Sequence, residues 1–465
     1  MLALAFLVAR LVLIATVRPF MDETYYWMWA QHPALSYFDH PPLIAWVQGL
    51  SGTIFGWTML SLRLPVVLTG LADVGLLYLF ARRDWGAAWR DGFWMSVLLF
   101  AATPVFILMT TISLPDHLMV TLLLAALYCL TGVIRARDEQ RAYRRLLYLG
   151  AIALGLALLS KYYAALLGVG LLIWLLASRH RVLLRDPHVW LAMALVVAIQ
   201  TPVIAWNVQH DFASFGFVTG GRKPLANPLS FSGTLGYLLG IVVMLSPFLV
   251  WPVWRFVTSR VASGMARGAF WVSTLTFFVA SVFTNILVHW NLVAYVAALP
   301  FLAGFIRSRV VLVGHLAFGA LIAIAIGVNY AVIPLIALFN PMGDQASSWG
   351  FGWDEVVPHV VAAKATHDVG FIAGLGYETA SPLGYALRDR DVTSLAARTD
   401  AYDFWFDAEA HRGESALIVG DRWRSLGETT RAHFSTVELI DTVEIVRFGI
   451  VINELKLYYA TAYAP

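Results

Sequence analysis

Long apolar runs separated by short polar intervals fill the first three quarters of the chain, and a mixed pattern replaces them near residue 340. A helix crossing a bilayer needs ~20 mostly apolar residues. Such windows fall at roughly 1–18, 59–81, 92–111, 114–134, 146–160, 162–178, 188–206, 233–254, 269–288, 291–306 and 310–332, which predicts eleven spans. The two that flank Lys161 are short and meet abruptly. The first begins at Met1, contains Arg10 and lacks the basic leader and small-residue cleavage site of a signal peptide, so it is expected to be retained. Beyond residue 340, the short apolar runs Val369–Ala373, Ala416–Val419 and Val443–Val446 read as strands. Stretches 379–388 and 423–433 read as helices, and 442–459 as a hairpin. A tail of about 125 residues suffices for one small domain. The expected fold is an all-α polytopic membrane bundle over 1–335, with a small extracytoplasmic α/β domain over 340–465.

Composition narrows the class. Of the 465 residues 59% are apolar and 13% charged, against about 25% charged in soluble domains. The 18 Trp, 28 Phe and 18 Tyr suit a chain with two membrane–water interfaces. Cys129 is the one cysteine, which excludes a disulfide framework and a cysteine zinc site. A net charge of +3 does not argue for nucleic acid. Loops around 82–91, 135–145, 179–187, 255–268 and 307–309 hold 16 of the 32 Lys and Arg, and ten more lie in the tail. The opposite loops carry Arg18, Lys161, Arg222 and Lys223. The positive-inside rule puts the five basic loops in the cytoplasm, and an odd number of spans then puts the tail outside. Arg-rich loops with few Lys suit a bacterial inner membrane, with the tail in the periplasm.

With that topology Asp22, Glu23, Asp39, Asp116 and Asp211 all fall on the outer boundary. Carboxylates at membrane depth are costly and mark sites; interfacial solvation is the bland alternative for each one singly. Asp22 can also cap the helix that follows, worth ~1 kcal/mol, and Tyr25, Tyr26, Trp27 and Trp29 of that helix are expected at headgroup level. Asp39-His40-Pro41-Pro42 is a rigid turn. Pro115 suits the first turn of a helix, which aims Asp116 outward from a positive helix end. Lys161 breaks two half-spans at the same depth, either snorkelling or holding an anion. Asn207, His210 and Asp211 open the long outward loop that contains Arg222 and Lys223. Arg10 and Asp73 lie within spans and are expected to pair structurally. Carboxylates can deprotonate a hydroxyl and cations can stabilise a departing phosphate, a combination that suits sugar transfer from a polyprenyl-phosphate donor. No P-loop or G-x-G-x-x-G places a nucleotide. A transporter would call for internal repeats and midplane polar sites, and no repeat is visible.

The ordered set Asp22-Glu23 with Tyr26-Trp27, Asp39-His40-Pro41-Pro42, Pro115-Asp116 and Ser160-Lys161 resembles a known family. It is similar to the C-type glycosyltransferases of the protein O-mannosyltransferase and lipid A aminoarabinose transferase superfamily, over about residues 1–335. The resemblance implies that Asp22 is the catalytic base and Asp116 a second essential carboxylate; Glu23 is expected to position Asp22 or the acceptor. The resemblance also sets Lys161 and His40 against the lipid phosphate or sugar. From the residues themselves, Asp39, His210, Arg222, Lys223 and Tyr26 are candidate further substrate contacts, with Arg222 or Lys223 helping the phosphate to leave. The resemblance implies no metal and no cofactor. The aminoarabinose transferases carry Lys where this chain has His40, and histidine at pH 7 is largely neutral, which argues against that particular enzyme. The expected reaction is one inverting displacement onto an envelope glycolipid such as lipid A or lipopolysaccharide. A protein acceptor is the alternative.

Overall fold

The computed structural model describes residues 1–220, 231–260, 263–340 and 343–465. Among these, four single helices are long and apolar enough to cross a membrane: Met59–Asp84, Pro115–Asp138, Val288–Phe305 and Arg309–Val332. Bent pairs, such as Pro187–Ile199 with Thr201–Gln209 at 43° and Ser232–Leu245 with Pro247–Thr258 at 91°, raise the number to as many as eight. The other expected windows hold shorter pieces. Window 92–111 divides at Thr103 into Trp89–Ala102 and Pro104–Met109. Windows 146–160 and 269–288 hold the 17-residue helices Arg144–Ser160 and Gly264–Ala280, each about 26 Å long at 1.5 Å per residue. Prolines set many of the starts: Pro104, Pro115 and Pro187 sit in the first turns of their helices, where the missing N–H is no loss.

The chain forms two compact units. The first comprises Met1–Ile14, Leu35–Ile44 and Arg63–Ala323. Its core is apolar and helical, with Phe100, Phe106, Met119, Leu124 and Val296 all buried. Small residues let the helices approach, as membrane packing requires; a Cβ on Gly170 would meet the Ala269 Cα at 2.5 Å. Arg10 and Asp73, both buried in this unit, do not form the expected simple pair. Arg10 donates to the Thr110 carbonyl (2.9 Å) and hydroxyl, whereas Asp73 accepts from the Thr121 hydroxyl at 2.7 Å. The threonines of neighbouring helices meet these charges first, since an unpaired polar group in a bundle interior is costly.

The second unit comprises Ala15–Ala34, Ala45–Leu62 and Ile324–Pro465, so it takes in the segment Met21–Gln31 together with the tail. Its sheet runs β2-β1-β3-β5-β4, with β1 Phe371–Gly374, β2 Thr393–Ser394, β3 Ala416–Asp421, β4 Thr436–Arg447 and β5 Ile450–Thr461. β1 is parallel to both neighbours, with Ala373 opposite Thr393 and Phe371 opposite Ala416. β1 and β3 are buried throughout, as strands covered on both faces should be. β4 and β5 form the expected hairpin. Its turn residues Phe448 and Gly449 have φ of 52° and 77°, the paired left-handed conformations of a tight two-residue loop. The helix Tyr377–Leu387 matches expectation, while 423–433 shrinks to Glu428–Ala432.

Candidate functional site

In the first unit, the Pro-Asp and Ser-Lys motifs close on one another. Pro115 and Asp116 open a helix whose N-cap, Leu114, offers no side-chain acceptor. The orphan N–H groups and helix dipole there favour an anion, and Asp116 supplies it. The helix Arg144–Ser160 ends at Lys161, whose backbone turns extended at φ −151° and ψ 138°. Ser160 Oγ donates to the Pro115 carbonyl at 2.6 Å, and Lys161 Nζ donates to Asp116 Oδ2 at 2.7 Å. The two bonds form a clasp between residues 45 positions apart. The side chains of Lys161 and Asp116 are 5% and 2% exposed. Asp116 Oδ1 is equally buried and has no hydrogen-bond partner among the described residues.

Other groups surround the clasp. Lys161 Nζ lies 5.5 Å from the centre of the Tyr163 ring, within cation–π range. His40 and His289 both lie within electrostatic reach of the Asp116 carboxylate. Next to Lys161, the Tyr162 hydroxyl meets Ser214 Oγ at 3.1 Å, and Asn207 Oδ1 accepts the Phe215 N–H at 3.1 Å. Toward the other end of the same helices lies an apolar cavity of about 340 Å³, lined by Leu130, Leu154, Leu158, Ala165, Leu172 and Val196 among others. Leu158 and Ala165 bring its wall to within four residues of Lys161 in sequence.

In the second unit, Asp22 and Glu23 occupy the first turn of the helix Met21–Gln31. Their environments differ. Glu23 is fully buried, and its Oε2 accepts the Phe20 N–H at 3.0 Å, as a capping-box glutamate does. Asp22 is only half-buried and is the more accessible carboxylate of the two.

A family model described as dolichyl-phosphate-mannose-protein mannosyltransferase matches residues 39–206, the stretch that carries Asp39, His40, Asp116 and Lys161. The lipid A galacturonosyltransferase RgtD of Rhizobium johnstonii is 27% identical over 395 residues, covering 80% of this chain and 78% of that one. ArnT from Cupriavidus metallidurans, solved bound to undecaprenyl phosphate, superposes with a TM-score of 0.65 at 16% identity over 98% of this chain and 97% of that one; its apo form gives 0.64. These two structures share the fold. The chain is a glycosyltransferase, similar to the C-type enzymes over most of its length. It is a multi-pass protein of a bacterial inner membrane.

The remaining expected residues of the transferase are placed as follows. Asp39 is buried and His40 half-buried in the turn before the helix Leu43–Phe55, with the neighbouring Phe38 ring 4.8 Å from Phe217. His210 is stacked on Trp206 at 4.2 Å, with Nδ1 2.8 Å from the Trp206 carbonyl, and is bound into its own helix end. Asp211 is exposed, with φ of 51°. Arg222 and Lys223 lie outside the described residues. The aromatic residues of the Met21–Gln31 helix correct the expectation of rings at headgroup level. Trp27 and Trp29 are 1% and 0% exposed, and Tyr26 is buried edge-on to Trp29 at 4.9 Å. Tyr25 stacks on Tyr377 at 4.4 Å, and its hydroxyl accepts the Ala401 N–H at 2.8 Å. Tyr377 and Tyr385 of the tail, together with Trp57, pack over these rings. The sequence did not assign His289, in the turn His289-Trp290-Asn291, to the site, nor did it mark Ser160 as half of a clasp. The signal for His289 was a polar residue next to an aromatic, Trp290, and for Ser160 a hydroxyl next to the lysine that breaks two apolar runs. Among the described residues, no group of three or more His, Cys, Asp and Glu is gathered to hold a metal ion.

Proposed function

We propose that this transferase moves a sugar from a polyprenyl-phosphate donor onto lipid A or a related envelope glycolipid at the periplasmic face of the membrane. The observation that carries this reading is the clasp: a buried ammonium held by one oxygen of a buried carboxylate whose other oxygen is unused. A permanent cation shielded from water is suited to a departing phosphate, where its charge acts at low dielectric. Asp116 Oδ1 is suited to a sugar hydroxyl. The apolar cavity is suited to a polyprenyl chain. Asp22 is assigned as the base that deprotonates the acceptor hydroxyl, and Glu23, committed to its cap, as the residue that holds the turn. Attack at the anomeric carbon then forms the new glycosidic bond as the bond to phosphate breaks, with inversion. His40, Asp39, His210, Arg222, Lys223 and Tyr26 complete the assignment as substrate-side or supporting residues. Eleven crossings, a transferase domain over 1–335 and a periplasmic domain over 340–465 belong to the same proposal, supported by the basic loops.

A lipid acceptor is preferred to a protein acceptor because the likeness to the lipid A enzyme spans 80% of the chain, whereas the protein-mannosyltransferase family model matches 39–206. The test uses the purified protein in nanodiscs with a panel of radiolabelled polyprenyl-phosphate sugars, galacturonate included, and lipid A as acceptor. Transfer by the wild type that collapses in Asp22→Asn and Lys161→Met is expected. A wild type that consumes no donor in the panel would overturn the proposal.

A further inference from the structure

The second unit contains a polar cleft of about 390 Å³ that none of the roles above uses. It opens where the chain enters β1 and β2, around Gly370–Ile372 and Asp389–Thr393. Two of its lining side chains have unspent polar atoms. Thr393 is 1% exposed, and its Oγ1 has no partner among the described residues. Trp405 Nε1 is likewise buried and without a partner among the described residues. A buried donor left unpaired costs about 1–3 kcal/mol, so two of them on one cleft wall point to a ligand that supplies the missing partners.

The rest of the wall indicates the chemistry of that ligand. The His32 and Trp405 rings stack at 4.6 Å and 4°, and His32 Nε2 contacts the Arg390 carbonyl at 2.9 Å, which makes a rigid flat element. Charges of both signs, Lys364 and Arg390 with Asp389, Asp391 and Asp407, line the cleft, so no strong net charge selects an anion, and the slight acidic excess is shared with the cations among which it sits. Some of the carboxylate oxygens are already used locally: Asp389 Oδ1 accepts the Asp391 N–H and Asp407 Oδ1 accepts the Ala410 N–H. A lining with N–H donors, a hydroxyl, carboxylate acceptors and an aromatic edge matches a neutral polyhydroxyl ring, which donates and accepts at every position and has an apolar C–H face. The size falls at the low end of small-ligand sites, about 300–1,000 Å³.

We propose that this cleft binds a saccharide and, resting on the transferase reading for its identity, that the saccharide is the sugar headgroup of the glycolipid acceptor. His32 caps the helix that begins at Asp22, so the cleft and the assigned base sit at opposite ends of one 11-residue helix, about 16 Å long.

The experiment is a saturation-transfer NMR titration of the full-length protein in nanodiscs. The probes are a β-1,6-linked N-acetylglucosamine disaccharide and methyl glucoside, both neutral, with inorganic phosphate as the non-saccharide control. Wild type should bind the disaccharide saturably. Trp405→Phe, which keeps an aromatic ring and deletes the N–H, and Thr393→Val, which keeps the shape and deletes the hydroxyl, should each weaken binding about tenfold with an unchanged melting temperature. In the transfer assay both should raise KM for lipid A and leave kcat in place, a split that a structural role for these residues would not produce. A wild type that transfers sugar yet shows no saturable disaccharide signal overturns the cleft, as does phosphate binding in place of saccharide, or binding indifferent to both substitutions. If no donor supports transfer, the transferase reading falls by itself, and the disaccharide titration still decides whether the cleft takes a saccharide.

Discussion

Lys161→Met removes an ammonium that lies 2.7 Å from a carboxylate whose side chain is 2% exposed. At an effective dielectric of about 20, the attraction between unit charges at that distance is about 6 kcal/mol. Desolvation of both groups offsets much of this, and breaking a buried pair by removing one partner typically costs about 3–5 kcal/mol, because the survivor is left charged and uncompensated. Lys161→Met alone should therefore lower the unfolding midpoint markedly, and Asp116→Leu alone should do the same. The double variant removes the desolvation cost together with the attraction, so its stability should return close to that of the wild type. Catalysis should not return with it. If the ammonium stabilises the leaving phosphate, its loss costs about 10²–10³ in kcat whatever the state of Asp116. Thermal unfolding in nanodiscs and single-turnover transfer, measured on all four proteins, separate the two effects. A double variant that recovers transfer along with stability would show the clasp to be structural and would remove the basis for the phosphate site.

Three further outcomes follow from the second unit. Asp22→Asn should abolish transfer and leave the melting temperature in place, whereas Glu23→Gln should lower stability by about 1 kcal/mol through the weakened cap and retain part of the activity; the opposite pattern in paired activity and unfolding assays would exchange their roles. Tyr25→Phe deletes the acceptor of the Ala401 N–H at 2.8 Å and should speed amide exchange at Ala401, at a cost of about 1–3 kcal/mol to the tail; unchanged exchange would show that the stacking on Tyr377 suffices. Burial holds the His32 imidazole below its ordinary value of 6.5, so the unfolded chain binds the extra proton first. Stability present above pH 6.5 is then lost as pH falls through the depressed folded value. A melting-temperature series in acid should be steeper for wild type than for His32→Gln, and parallel curves would contradict this.

Local order along the chain was legible wherever one residue's chemistry decides the backbone. Pro115 starts a helix because its ring presets φ and its nitrogen has no proton to lose. The β4–β5 hairpin is written in alternating apolar positions that converge on Phe448 and Gly449, and the break at Lys161 is written in an ammonium set between two apolar runs. Membrane character followed from run length, because a continuous apolar helix satisfies its own backbone hydrogen bonds in lipid. What covers an apolar face was not legible. Tyr25, Tyr26, Trp27 and Trp29 present the same pattern to a headgroup layer as to protein, and only the packing of the tail onto that helix decided between them. The Lys161–Asp116 bond and the unpaired atoms of Thr393 and Trp405 depend likewise on residues far apart in sequence. Periodicity reports which face of an element is apolar; partner and distance are set by how the elements pack.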